Sequence, residues 1–157
     1  TVGAVHLETG KVTLIPTGKR PQGGVLSQDG KLYYLTVSNS DAIAVIDMEK
    51  KKQIELIAVA KAPARVALTP DGGTLVHNCE NCIGIVELAT KSQTAVITLS
   101  GHPLSLTLSA DGKTAYAGLQ EIDRIAVVSI PDRKVVKEIA TPEKSGPDPV
   151  FPLPAGL

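Results

Sequence analysis

The residues of this chain best suited to chemistry stand in one short run, His77-Asn78-Cys79-Glu80-Asn81-Cys82. Two thiolates and an imidazole are soft or borderline ligands, and with a fourth group from a neighbouring loop or from water they would suit zinc or copper. A single Cys-x-x-Cys without a second pair is a thin zinc motif, and no His follows it to mark covalent c-type haem attachment. The alternative is a disulfide that pins a tight hairpin, which the two-residue separation permits.

Other candidates are scattered. Arg20 and His102 each immediately precede a proline, and a guanidinium there can clamp a carboxylate or phosphate while an imidazole can ligate a cofactor or move a proton. Asp41, Glu121, Asp123 and Arg124 fall in polar breaks between apolar runs, where paired carboxylates can do acid–base work and solvated loop charges are the simpler reading. The chain has no phosphate-cradling glycine loop, no Gly-x-Ser-x-Gly elbow and no His-Glu-x-x-His pair, so no catalytic residue is assigned and no cofactor is required.

The elements that must position these residues recur with a period of about forty residues. Ser27-Gln28-Asp29-Gly30, Thr69-Pro70-Asp71-Gly72 and Ser109-Ala110-Asp111-Gly112 place their aspartates 42 and then 40 residues apart. Each turn offers an Asx-type hydrogen bond and a glycine able to take positive φ. In the first full copy, Gly24–Leu26, Leu32–Val37, Ala42–Ile46 and Ile54–Val59 read as strands a to d, with a charged turn Asp47–Lys52 between c and d. Segments this short, broken by Gly, Pro or Asp-Gly, rule out a helical solenoid, and their regular return favours radial repetition over a sandwich.

The fold class expected is therefore all-β, a β-propeller of four-stranded antiparallel blades. Residues 1–17 supply strands c and d of one blade, 18–60, 61–100 and 101–141 three whole blades, and 142–157 the first strand of another. The start at Thr1, inside a strand c, reads as processing or truncation of a longer propeller. With strands ordered a-b-c-d from the axis outward, the a–b and c–d turns share one rim and the b–c turns and d–a crossovers share the other. The near-identity of the Asp-Gly turns marks the first rim as structural, and the unequal b–c turns mark the second as the place for a site. His77, Cys79, Cys82, Arg20, Asp41, His102, Asp123 and Arg124 all belong to that second rim.

Arg20-Pro21, Ser27-Gln28-Asp29-Gly30, Leu32-Tyr33-Tyr34-Leu35-Thr36 and Ala44-Val45-Ile46-Asp47 resemble the YVTN-type β-propeller repeat, whose pattern runs Arg-Pro, Ser-Pro-Asp-Gly, Leu-Tyr-Val-Thr-Asn, Val-Ile-Asp. The resemblance implies a segment of a longer, seven-bladed ring whose remaining blades come from another segment or chain. It also implies an extracytoplasmic setting, periplasm or cell surface, in which the disulfide Cys79–Cys82 is preferred over a metal held with His77.

Composition narrows the partners. Sixteen basic residues balance sixteen acidic ones, aromatics are 3% of the chain and Trp is absent, so nucleic acid is not favoured. No apolar run is long enough to span a membrane. The leading expectation is a noncatalytic binding or scaffold module that presents the b–c and d–a rim to a protein, glycan or small ligand. A periplasmic haem-, quinone- or metal-linked redox propeller is the alternative, and a lactonase-like hydrolase rests on fold analogy alone.

Overall fold

The computed structural model describes residues 1–141, and the strand expected at 142–157 lies outside the described residues. Strands β1 (Val2–Val5) and β2 (Val12–Ile15) form a two-stranded antiparallel sheet. Three four-stranded antiparallel sheets follow, each in simple meander order: β3 (Pro21–Leu26), β4 (Leu32–Val37), β5 (Ala42–Asp47) and β6 (Lys52–Ala58); then β7 (Val66–Leu68), β8 (Thr74–Cys79), β9 (Cys82–Glu87) and β10 (Ser92–Thr98); then β11 (Pro103–Leu108), β12 (Thr114–Leu119), β13 (Arg124–Ser129) and β14 (Lys134–Ala140). The chain is all-β and its sheets are propeller blades.

The period-two alternation of each strand divides its apolar residues between two neighbours. In the first full blade Leu35, Val37, Ala44 and Ile46 pack back against Ile15 of the two-stranded sheet. Tyr34, Ile43, Val45 and Ile57 pack forward against Leu75 and Val86 of the next blade. Val76, Ile83, Ile85 and Ile97 then pack forward on Ala115, Ala117, Ala126 and Val128. The middle strands of the first two full blades are therefore buried on both faces, and β5 reads as the unbroken apolar run Ala42-Ile43-Ala44-Val45-Ile46.

Polar side chains sew the inner strands together. The Thr36 hydroxyl accepts from Gly23 N–H at 3.0 Å and lies 3.0 Å from the carbonyl of Ala64 in the next blade. Asn78, its counterpart one repeat on, accepts from Arg65 N–H at 2.5 Å and donates to the Pro103 carbonyl at 2.7 Å. Both are buried, so these bonds act where water does not compete.

Several strand boundaries differ from expectation, β5 among them, which runs on to Asp47. β3 begins at Pro21 rather than Gly24, because a register shift between Pro21 and Gly24 lets the strand resume pairing after a bulge, and Gly23 N–H bonds outward to the Ala64 carbonyl at 2.9 Å. β6 begins at Lys52 rather than Ile54 and ends at Ala58: Asp47 accepts from Lys50 N–H at 2.8 Å, and Lys51 at φ 50° closes the turn early.

The rims are as the strand order requires. The c–d turns bond to the a–b turns through Met48 N–H to Lys31 O, Leu88 N–H to Gly73 O and Ile130 N–H to Lys113 O, each at 2.9 Å. On the opposite rim Val59 N–H bonds to Asp41 O at 2.9 Å, Leu99 N–H to Asn81 O at 2.9 Å and Thr141 N–H to Asp123 O at 2.8 Å, joining d–a crossovers to b–c turns.

Candidate functional site

At each a–b turn a Ser or Thr hydroxyl donates to the aspartate two residues on, at 2.6–2.7 Å, and that same carboxylate oxygen accepts a backbone N–H at 3.0–3.1 Å. These bonds hold the carboxyls of Asp29, Asp71 and Asp111 below the usual range, the hydroxyl bond contributing most. The side chains that make these turns alike are occupied in closing them, which is a structural task.

The other rim carries a different arrangement. A cleft of about 280 Å³ opens where the d–a crossovers meet the inner strands, lined by Arg20, Gln22, Ser38, Ala62, Ala64, Arg65, His102, Pro103 and Leu104. Arg20, Ala62 and His102 immediately precede Pro21, Pro63 and Pro103 at the entry to each blade, so the repeat brings them together by construction. Arg20 and Ala62 both hold left-handed backbone, φ 55° and 56°, as the chain swings from one blade to the next. The ring of His102 is oriented by Nδ1–H, which donates to the Glu80 carbonyl in the b–c turn of the second blade. The same turn is gripped from the other side, where Lys61 pairs with Glu80 at 3.3 Å.

Arg65 was not singled out in the sequence, yet it stands at the cleft beside Arg20 and His102. Its signal lay in the repeat alignment: Gly23 and Ser105 occupy the corresponding places, and an arginine where the other repeats carry small residues is anomalous.

The remaining candidates divide. Asp41 does not line the cleft; it sits in left-handed backbone at φ 46° after a 3-10 turn, and its carboxylate accepts from Ala62 N–H at 2.9 Å, holding the crossover. Asp123 takes the same conformation after the 3-10 turn Gln120–Ile122. With Arg124 it borders a separate shallow recess of about 260 Å³ that shares Leu104 with the cleft. Arg124 is tied to the outer strand by its bond to Glu138 at 3.0 Å, and Glu138 is held below its usual pKa by the Ser100 hydroxyl first and by Arg124 second.

Cys79 and Cys82 are joined across the two-residue turn, with Cα atoms 5.0 Å apart. His77 does not join them. It is fully buried on β8, with Nε2 2.9 Å from Gln93 Oε1 and Nδ1 3.1 Å from the Asn78 carbonyl. Ala60 N–H donates to the same Gln93 oxygen at 2.8 Å, which fixes the amide, so Nε2–H donates to it, and Nδ1 can bond the Asn78 carbonyl only in the protonated ring. Burial pushes the imidazole pKa down, against the two hydrogen bonds. The metal alternative is not assembled, and the preferred disulfide is: the sulfurs are bonded to each other and the ring is committed to the contact between blades. Among the described residues, no group of three or more His, Cys, Asp or Glu is placed to hold a metal ion.

A larger opening lies on the rim read as structural. A cleft of about 560 Å³ separates the second and third full blades, lined by Asp71, Glu87, Asp111, Lys113 and Arg133 among others. The equivalent space between the first two blades measures about 200 Å³ and is filled in part by Leu32 and Tyr34. Thr74 and Val76 take those positions one repeat on, so the gap follows from smaller side chains. Its charges are of both signs.

No family model matches the chain, and no curated protein matches it. Among solved structures the chain is similar to hydrazine synthase of Kuenenia stuttgartiensis, at 26% identity and a TM-score of 0.81. The likeness covers 88% of this chain, which spans 42% of the length of that one.

Proposed function

We propose that this propeller is a noncatalytic binding and scaffold module outside the cytoplasm, which presents the rim of b–c turns and d–a crossovers to a protein, glycan or small ligand. The observation that carries the reading is the mouth cleft. Its residues vary from repeat to repeat, Arg20 against Ala62 and His102, and Gly23 against Arg65 and Ser105, at places that recur in each blade. The disulfide supports an oxidising compartment. The YVTN-type look of the repeats supports the same class.

Further blades, from another segment or chain, belong to the proposal. Tyr116 is 38% exposed, whereas its counterparts Tyr34 and Val76 are covered by the blade that follows each.

A thermal-shift screen of neutral and charged sugars and small acids tests the reading. Stabilising ligands should lose their effect when Ala64→Trp fills the cleft and keep it in Lys113→Ala on the other rim. Ligands indifferent to Ala64→Trp would remove this cleft from the function.

The likeness to hydrazine synthase favours a second reading, a propeller that serves a redox enzyme. Absorption spectroscopy and metal analysis of natively purified protein separate the two. A stoichiometric chromophore or metal would overturn the first reading in favour of the second.

A further inference from the structure

We propose that the mouth cleft takes a small ligand bearing an oxyanion beside a hydroxyl group, in the chemical class of sugar acids and other hydroxycarboxylates. The proposal rests on the binding-rim reading and narrows it to one ligand chemistry.

The charge of the cleft is one-sided. Arg20 and Arg65 line it, no carboxylate does, and neither arginine pairs with an acid among the described residues. Two unpaired guanidinium groups at one concavity match an oxyanion, since each can offer two parallel N–H donors to a carboxylate or phosphate.

Arg65 is held for this task by its neighbour. A Cβ on Gly23 would come within 2.7 Å of the Ala64 carbonyl, so glycine there is set by the close approach of the two backbones, and the Arg65 stem lies over it with Cδ 3.3 Å from where that Cβ would be. The Asn78 carboxamide fixes the Arg65 backbone from beneath at 2.5 Å.

His102 supplies the complementary preference. Its Nδ1–H is committed to the Glu80 carbonyl, so Nε2 of the neutral ring is an acceptor and calls for a donor on the ligand, such as a hydroxyl. Gln22 and Ser38 add polar groups that can serve either role. Size sets the scale: 280 Å³ is the share of about nine waters at roughly 30 Å³ each, enough for a monosaccharide acid and too little for a dinucleotide.

Isothermal titration with glucuronate, glucose and inorganic phosphate tests the proposal on the protein and on Arg20→Ala, Arg65→Ala, Ala64→Trp and Lys113→Ala, each first shown to be folded by circular dichroism. Glucuronate should bind saturably and more tightly than phosphate, and glucose should give no saturable heat. Arg20→Ala and Arg65→Ala should each weaken glucuronate about tenfold or more, the loss of one charge-assisted pair, and Lys113→Ala should not. Phosphate binding as tightly as glucuronate would overturn the hydroxyl half of the proposal. Glucose binding that is lost in Ala64→Trp but unchanged in Arg65→Ala would overturn the oxyanion half while the rim reading stands. Glucuronate binding unaffected by Ala64→Trp would overturn both, and no saturable glucuronate binding would overturn the proposal outright.

Discussion

Mild acid should weaken this fold through one side chain, His77. The ring is fully buried between blades, and burial holds its pKa below the ordinary 6.5 while the bonds to Gln93 and the Asn78 carbonyl resist that shift. The unfolded chain binds a proton near the ordinary value and the folded chain does not, so stability is complete above about pH 6.5 and is lost as the pH falls toward the folded value. The slope is at most about 1.4 kcal/mol per pH unit. Lowered carboxyl pKa values at Asp29, Asp47, Asp71, Asp111 and Glu138 act in the same direction, but from ordinary values of 3.8 and 4.5, so their losses begin in stronger acid. Urea unfolding followed by circular dichroism at pH 7.5 and 5.5 should therefore cost the protein up to about 1.4 kcal/mol more than His77→Leu, which places the residue of the preceding blade, Leu35, at this position. Equal pH dependence in the two proteins would refute the assignment of a neutral, buried imidazole.

Gly30 and Gly112 both take positive φ, 70° and 69°, but a Cβ at Gly30 would meet nothing within 4 Å whereas one at Gly112 would lie 2.6 Å from Pro70 Cδ. Gly30→Ala should cost about 1 kcal/mol and Gly112→Ala distinctly more in denaturant unfolding; equal costs would show that the blades part freely there. Asn78→Ala strands the Arg65 N–H and the Pro103 carbonyl, a loss of about 2–4 kcal/mol, and Asn78→Thr, copying Thr36, should recover part of it; a neutral Asn78→Ala would deny the bond between inner strands. Cys79→Ser with Cys82→Ser opens a four-residue loop, for which loop entropy gives about 2 kcal/mol. Thiol labelling of the native protein should find neither cysteine, and two reactive thiols would contradict the bond.

The fold was legible because its determinants are local and repeated. Asp-Gly turns, prolines at the entry to each blade and apolar runs of strand length recur in register, and each repeat asks for the same positive φ at Gly30, Gly72 and Gly112. Strand ends were less so, since the bulge that lets β3 reach back to Pro21 depends on a carbonyl from the next blade. At the site, the pairing of Arg20 with His102 followed from their common place before proline. Arg65 did not, because its importance comes from Gly23 lying under it, a contact between inner strands forty-two positions apart. His77 misled for the opposite reason: nearness in sequence to two cysteines says nothing of which sheet face a ring occupies, and strand alternation sends it into the contact between blades.

The account stands on which rim binds. Amide chemical-shift mapping with the stabilising ligands from the screen addresses that most directly. The shifts should gather at Arg20 to Gly23, Ser38, Ala62 to Arg65 and His102 to Leu104, with the turns at Asp29, Asp71 and Asp111 unmoved. Shifts centred instead on Thr69, Asp111, Lys113 and Arg133, at the larger cleft of the opposite rim, would contradict it.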